Sequence, residues 1–201
     1  EATDDLTTIP NDYAWGTPLN TVGAVGDNAI KVVDSTAYIA RTNGALVKVN
    51  LDDGSSQQLF ASVSGVTGRI NGLEVSSNGT FWMSTDQGRV VNVGATGTTL
   101  SNTVVCSGKT GGIAAEPNGG FYVACHEAHK IVKLNSNLTV TAVASAGLLN
   151  RPYGLTWHPD GYLLIANYLG SNILKLSTDN VVSVYASGFN DRPVHLTVHS
   201  S

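Results

Sequence analysis

The densest group of possible metal ligands in the sequence is the segment CHEAH, which holds His126, Glu127 and His129. Two imidazoles three residues apart, with a carboxylate between them, are donors that zinc and other transition metals accept. A zinc site usually takes at least three protein ligands, so this segment needs a further ligand from elsewhere in the chain. The alternative is a solvated polar loop, and both interpretations stay open at this point.

Other familiar catalytic arrangements are missing from the sequence. There is no G-x-S-x-G nucleophile elbow, no H-E-x-x-H helix, no phosphate-binding P-loop and no dinucleotide fingerprint. We therefore predict no cofactor, and we expect a divalent cation, Ca2+ or Zn2+, only if the protein is an enzyme. The missing motifs favour a non-catalytic protein.

The composition is typical of one globular domain over residues 1–201. Of the 201 residues, 42% are hydrophobic and 13% are charged, which is enough apolar material for one sizeable core. The formal net charge is -4 and no run of basic residues occurs, so nucleic acid is not an expected partner. No apolar run approaches the ~20 residues that a membrane-spanning helix needs, so no membrane span is predicted.

A sequence unit recurs along the chain. Three copies are clear: GLEVSSNGTFWMSTDQGRVVNV from Gly72, GIAAEPNGGFYVACHEAHKIVKL from Gly112 and GLTWHPDGYLLIANYLGSNILKL from Gly154. A weaker copy starts at Ala29, and the beginning of another starts at His195. Successive starts lie 40 to 43 residues apart, which is the period of the four-stranded blades of β-propellers.

Each unit predicts four short antiparallel strands. In the third unit they are expected near residues 112–116, 121–125, 130–135 and 139–144, where apolar and polar residues alternate without helical periodicity. A sandwich of short strands is the alternative, but it gives no reason for whole units to recur at nearly constant spacing. The predicted fold class is all-β, a β-propeller of four-stranded blades.

The two ends of the chain predict how the ring closes. The fifth unit has only a first strand, around residues 193–198, whereas residues 1–25 contain LTTIP, DYAW and LNTVGAV, which suit the other three strands. Joining the two ends removes exposed sheet edges. We predict five blades, the last one a composite of both ends, and the alternative is a fragment of a six-bladed propeller.

The stretches RPYGLTWHPDGYLLIANYLGSNILKL and INGLEVSSNGTFWMSTDQGRVVNV resemble NHL-repeat propellers and the related SMP-30/gluconolactonase-like family. For SMP-30-like enzymes, the resemblance implies a divalent cation held at the axis by carboxylate and Asn oxygens. Asn71 matches such a ligand position. The equivalent residues in the other units are Asn28, Gly111, Tyr153 and Val194, none of which is acidic.

The cysteines and sequons bear on the compartment. Cys106 falls at the end of a fourth strand and Cys125 at the end of the second strand of the next unit, so both emerge on one face and predict a disulfide. The sequons at Asn78 and Asn137 fall in turns on the opposite face and predict glycosylation if the source is a eukaryote. The chain opens at Glu1 with no initiator Met and no apolar leader, which indicates either a mature form whose signal peptide has been removed or a trimmed sequence, and both explanations stay open. We therefore predict an extracellular protein.

The loops between second and third strands, and those between units, are expected on the face opposite the sequons. Polar and aromatic side chains gather there, and they suit hydrogen bonding and stacking with a ligand. The predicted ligand-binding residues are Asn28, Arg41, Asn71, Asp86, His126, Glu127, His129, Arg151, Tyr153 and Tyr168.

Three functions are compatible with this sequence. The preferred hypothesis is a secreted, glycosylated recognition or structural module whose loop-rich face contacts a protein partner, a glycan or copies of itself. The second is a metal-dependent lactonase-like hydrolase or lyase of the SMP-30/NHL type, with Asn71, His126 and His129 as candidate metal ligands. The third is a glycan-binding lectin, which predicts similar pockets in every blade, whereas the corresponding loops are RTNGA, STDQG, CHEAH and NYLGS.

Overall fold

The computed structural model describes residues 27–145 and 147–198. These residues form strands joined by tight turns, with two short 3-10 turns at Thr42–Gly44 and Tyr168–Gly170. The strands are β1 (Asp27–Val33), β2 (Thr36–Arg41), β3 (Leu46–Asn50), β4 (Ser56–Phe60), β5 (Ile70–Val75), β6 (Phe81–Thr85), β7 (Arg89–Val93), β8 (Thr99–Val104), β9 (Thr110–Ala115), β10 (Phe121–Cys125), β11 (Lys130–Leu134), β12 (Val140–Ala144), β13 (Pro152–His158), β14 (Tyr162–Asn167), β15 (Asn172–Leu176) and β16 (Val182–Ala186).

The strands form four antiparallel sheets of four consecutive strands, which we call blades 1 to 4. The first strands lie side by side in chain order, with β1 beside β5, β5 beside β9 and β9 beside β13. They surround a central cavity of about 900 Å³. Four-stranded sheets arranged radially around an axis are the architecture of a β-propeller, so the predicted all-β fold class is confirmed.

The first strand of each blade carries a β-bulge near its beginning. The register shifts between Ile70 and Gly72 in blade 2, and between Pro152 and Leu155 in blade 4. The strand therefore begins upstream of the repeated glycine, and the third unit's first strand spans Thr110–Ala115 rather than the predicted 112–116. A bulge inserts an unpaired residue that alternating polarity does not reveal, which explains this difference.

Glycines on the first strands allow the backbones of neighbouring first strands to come into direct contact. A Cβ added at Gly72 would lie 2.6 Å from the backbone N of Ile113, and one at Gly111 would lie 2.7 Å from the carbonyl O of Tyr153. A Cβ at Gly154 would likewise collide with the carbonyl O of Val194. The repeated glycine is thus required by packing at the axis.

Apolar clusters fill the spaces between successive blades. Between blades 2 and 3, the rings of Trp82 and Phe121 lie 4.4 Å apart between centroids. Between blades 3 and 4, Tyr122 stacks on Trp157 at 5.7 Å. Because blades 2 and 3 each bury both faces against neighbouring blades, neither has a complete core of its own.

The predicted disulfide is present between Cys106 and Cys125, with the two Cα atoms 5.3 Å apart. Cys106 lies just beyond the end of β8, and Cys125 is the last residue of β10. Both are buried in the cluster between blades 2 and 3. The covalent link therefore joins two neighbouring blades.

The start of the fifth unit lies beside blade 4. Residues 195–198 line the central cavity with the four first strands, and the Cα of His195 lies 2.9 Å from a Cβ built at Gly154. This fifth inner position agrees with the predicted blade count. No strand is assigned within residues 187–198, because no described residue supplies hydrogen-bonded strand partners there. Residues 1–25, which we predicted to complete this blade, lie outside the described residues.

The helices in the described part of the chain are each a single turn long. None of them has the length and apolar character needed to cross a bilayer.

Candidate functional site

The two ends of the disc differ in the kind of connection they carry. One end, which we call the loop face, holds the links from second to third strands and the links between blades. The other end, the hairpin face, holds the turns from first to second and from third to fourth strands. The sequon residues Asn78 and Asn137 lie in exposed turns of the hairpin face.

The central cavity runs along the first strands between these faces. Its wall is partly apolar, and it contains an ion pair in which both carboxylate oxygens of Glu74 lie within 3.0 Å of Lys31 Nζ. Burial raises the pKa of Glu74 above its ordinary value, although the Lys31 ammonium acts in the opposite direction. This pair links blade 1 to blade 2 inside the cavity.

Asn71 and Tyr153 meet at the loop-face end of the cavity. The Asn71 side chain is buried; its Nδ2 donates to the carbonyl O of Thr110 at 2.8 Å, and its Oδ1 accepts from the Tyr153 hydroxyl at 3.3 Å. The bond to Tyr153 joins blade 2 to blade 4. It crosses blade 3 at Gly111, which has no side chain to separate the two partners. Asn71 is thus held by its neighbours at both ends of its amide.

His126 packs against Tyr153, and its partial burial favours the neutral form of the ring. Its Nδ1 lies 3.3 Å from the carbonyl O of Pro152, which fits an N–H that donates to this carbonyl. Burial lowers the pKa of His126 below its ordinary value. A neutral imidazole that donates through Nδ1 keeps a lone pair on Nε2, which can accept a proton.

Four rings form a continuous row across the loop face, which we call the aromatic row: His195, Tyr153, His126 and Tyr168. Tyr153 stands edge-to-face with His126 at 5.4 Å and with His195 at 6.0 Å, and His126 lies 5.7 Å from Tyr168. The guanidinium of Arg192 sits 5.3 Å from the centre of the Tyr168 ring, and its Nη1 donates to the Tyr168 hydroxyl at 3.4 Å. His195 is exposed, whereas Tyr168 is half-buried.

The charges of Asp86 and Arg69 act on the Tyr153 hydroxyl. Burial raises the pKa of the Tyr153 hydroxyl; the Arg69 charge lowers it and the Asp86 charge raises it further. Asp86 Oδ1 is buried and has no hydrogen-bond partner among the described residues. The structure therefore brings Asn71, Asp86, His126, Tyr153 and Tyr168, five of the predicted face residues, around one end of the cavity.

Other predicted residues bond to the backbone of the links between blades. Glu127 Oε2 accepts from the backbone N–H of Lys109 at 3.2 Å, and His129 Nδ1 accepts from the backbone N–H of Arg151 at 3.2 Å. Arg41 ends β2 on the same face. The side chain of Asn28 lies outside the described residues.

The candidate metal ligands are not joined to one another. No hydrogen bond or ring contact within the described ranges links Asn71, His126 and His129 directly. Over those same ranges, no three His, Cys, Asp or Glu side chains lie close enough together to hold a metal ion.

Sequence analysis missed Arg69, Arg192 and His195 as members of this site. The available signal was the alignment of the repeats, because Arg69 and Arg192 occupy the same place in their units as Arg151 does. His195 starts the fifth unit, where the earlier units have Gly154 and its equivalents.

Comparisons with known proteins support the fold. No protein-family model matches the sequence, and no curated protein matches it. Among solved structures, the chain is similar to a streptogramin B lyase, with a TM-score of 0.70 and 16% identity over 84% of this chain and 57% of that one. It is also similar to virginiamycin B lyase from Staphylococcus aureus, with a TM-score of 0.67 and 13% identity over 87% of this chain and 75% of that one.

The WD40 repeats of RRP9 have a comparable fold, with a TM-score of 0.66 and 12% identity over 82% of this chain and 52% of that one. This chain thus spans only 57% of the streptogramin B lyase and about half of the RRP9 repeats. At these identities the likeness shows a β-propeller. Membership of the NHL or SMP-30 family is not confirmed and stays a prediction.

Proposed function

We propose that this β-propeller is a secreted, glycosylated recognition module that binds a protein or glycan partner through its loop face. The observation that carries the proposal is the aromatic row at the end of the central cavity. Its inner members Tyr153 and His126 are fixed by hydrogen bonds, while Tyr168 and His195 leave ring surface open to solvent. Rings held in advance lose little conformational entropy on binding, which favours affinity.

Secretion and glycosylation rest on separate observations. The disulfide between Cys106 and Cys125 is of a kind that persists in oxidising compartments. The sequon at Asn78 is exposed, and its Oδ1 accepts from the Thr80 hydroxyl at 2.8 Å. Glycans on the hairpin face leave the loop face free to bind. If the source is a eukaryote, peptide mapping of native material should find Asn78 and Asn137 modified, and two unmodified asparagines would remove this support.

The recognition proposal is tested with two matched tyrosine substitutions. Tyr168→Ala removes a ring of the aromatic row, and Tyr185→Ala removes an exposed ring from the outer strand β16. Wild type is first screened on a glycan array and an array of secreted proteins, and each ligand found is then titrated against both variants.

We expect Tyr168→Ala to weaken binding about tenfold, because an aromatic residue at the centre of an interface often carries one or more kcal/mol of the binding energy. Tyr185→Ala should bind as wild type does. Ligands that depend on Tyr185 and ignore Tyr168 would place recognition on the rim of the disc and contradict the proposal.

A lyase or lactonase-like hydrolase is the second candidate, and His126 is the observation that favours it. A neutral imidazole with a lone pair on Nε2, packed against Tyr153 at the end of a cavity, is suited to accept a proton from a bound substrate. A divalent cation of the SMP-30/NHL type would need ligands beyond Asn71, since that amide already bonds to Thr110 and Tyr153.

Metal analysis and turnover separate the two candidates. The purified protein is assayed for Ca2+ and Zn2+ and incubated with virginiamycin B and with a sugar lactone. Stoichiometric metal, with turnover that His126→Gln abolishes, would favour the enzyme. Binding without turnover or metal favours the recognition module.

A further inference from the structure

We propose that the loop face binds an acidic carbohydrate, whose carboxylate or sulfate groups are held by a ring of four basic residues: Arg69, Lys109, Arg151 and Arg192. This inference rests on the proposed function and names the class of partner. We call these four residues the basic ring.

The repeat itself places the basic ring. Each of the four residues stands three positions before the start of its unit, in the segments RING, KTGG, RPYG and RPVH. Because the first strands of successive blades lie side by side around the cavity, equivalent positions lie around the same end of it. Cations that are about 40 residues apart in sequence are therefore brought to one face.

The four side chains are exposed and available to a ligand. None of them forms an ion pair with an Asp or Glu of the described residues. Arg192 contacts Tyr168 instead, and Glu127 bonds to the backbone of Lys109, not to its ammonium. Asp86, Glu127 and Asp191 lie on the same face and offset part of the charge.

Charge is distributed unequally between the two faces. All five exposed Lys and Arg side chains of the described residues are on the loop face: the basic ring and Lys130. Five of the seven exposed Asp and Glu side chains of the same residues are on the hairpin face: Asp34, Asp52, Asp53, Asp160 and Asp179. The face that carries the aromatic row is thus the positive face of a protein whose formal net charge is -4.

The combination of groups indicates the class of ligand. The planar guanidinium of Arg donates two N–H groups to two oxygens of one anion, which suits carboxylate and sulfate. The aromatic row lies among these cations and offers flat apolar surface for the rings of a sugar. The net charge of -4 opposes the approach of a long polyanion, which favours a short acidic glycan over nucleic acid.

The test measures binding of defined oligosaccharides by calorimetry at two salt concentrations. The probes are a heparin-derived octasaccharide for sulfate, tetragalacturonate for carboxylate, neutral maltotetraose, and an oligothymidylate of similar charge. The loop-face variant is Lys109→Gln with Arg151→Gln. The matched control is Lys48→Gln with Lys175→Gln, which removes the same charge outside the loop face.

We expect one or both acidic sugars to bind, with affinity that falls as salt increases, and maltotetraose not to bind. The loop-face variant should lose about tenfold in affinity, and the control less than about twofold. The sugar that binds identifies sulfate or carboxylate as the recognised group. Circular dichroism confirms that both variants are folded.

Three results would overturn the inference. They are an equal loss in the control, oligothymidylate binding as tightly as the acidic sugars, and no binding of either acidic sugar. An uncharged ligand that still depends on Tyr168 would leave the recognition proposal standing while removing this one.

Discussion

Replacing Gly72 by alanine adds one methyl group where blade 2 meets blade 3. The new Cβ would lie 2.6 Å from the backbone N of Ile113, 2.8 Å from Ser84 Oγ and 2.9 Å from the Cα of Gly112. Two of these three atoms belong to the backbone of β9, which cannot yield without moving the whole blade. The third belongs to a buried hydroxyl that donates to the carbonyl O of Gly111 at 2.7 Å.

The expected cost follows from three contributions. Forcing a methyl group into a filled space costs about 1–3 kcal/mol. Losing the Ser84 hydrogen bond costs about 1 kcal/mol, and the smaller entropy of the unfolded chain returns roughly 0.4–1 kcal/mol. The net destabilisation is about 2 kcal/mol, which lowers the melting temperature of a domain of this size by about 4–8 °C.

Differential scanning calorimetry measures the effect, and Gly94→Ala is the matched control. A Cβ at Gly94 meets its nearest atom, the carbonyl O of Thr98, at an ordinary 3.6 Å. The control should therefore melt close to wild type. If Gly72→Ala also melts as wild type does, the blades do not meet as closely as described, and the packing reason for the repeated glycine is refuted.

Three further predictions concern the disulfide and two titratable groups. The Cys106–Cys125 bond joins residues 19 positions apart, and its reduction should lower the free energy of unfolding by about 3 kcal/mol and the melting temperature by about 6–12 °C. The melting temperature of a double Cys→Ser variant should not change when reductant is added. Because burial raises the pKa of Glu74, its carboxylate binds a proton more readily in the folded protein than in the unfolded chain. The stability of wild type relative to Glu74→Gln, measured by urea denaturation, should therefore increase as pH falls from 7 toward 4.5. Because burial lowers the pKa of His126, the midpoint of its NMR titration should lie below the ordinary 6.5. Wild type should lose stability as acidification protonates this side chain, and His126→Gln should not show that loss.

The architecture was predictable because a repeat of this length must bury its faces against copies of itself. Turn glycines, alternating strands and a constant period all indicated the same blade. The disulfide was predictable for a related reason. Once Cys106 and Cys125 were placed at strand ends of successive blades, the antiparallel order brought both to the loop face.

Strand-pairing irregularities and contacts between residues far apart in the sequence were not predictable. The bulge near Gly72 moved the beginning of β5 upstream, since pairing irregularities leave no trace in alternating polarity. The bond from Asn71 to Tyr153 spans 82 residues and passes over a whole blade, so no local pattern could indicate it. The basic ring was visible in the repeat alignment, but Arg151 was singled out without its equivalents.

The bond between Asn71 and Tyr153 should increase the cooperativity with which the blades unfold. When repeats contact only their immediate neighbours, stability is a sum of local units and interfaces, and one end can open while the rest stays folded. Here a second-neighbour contact ties blade 2 to blade 4, and the disulfide ties blade 2 to blade 3. Amide protons of β6, β10 and β14 should therefore exchange with solvent through one common opening reaction, as a single cooperative block rather than blade by blade.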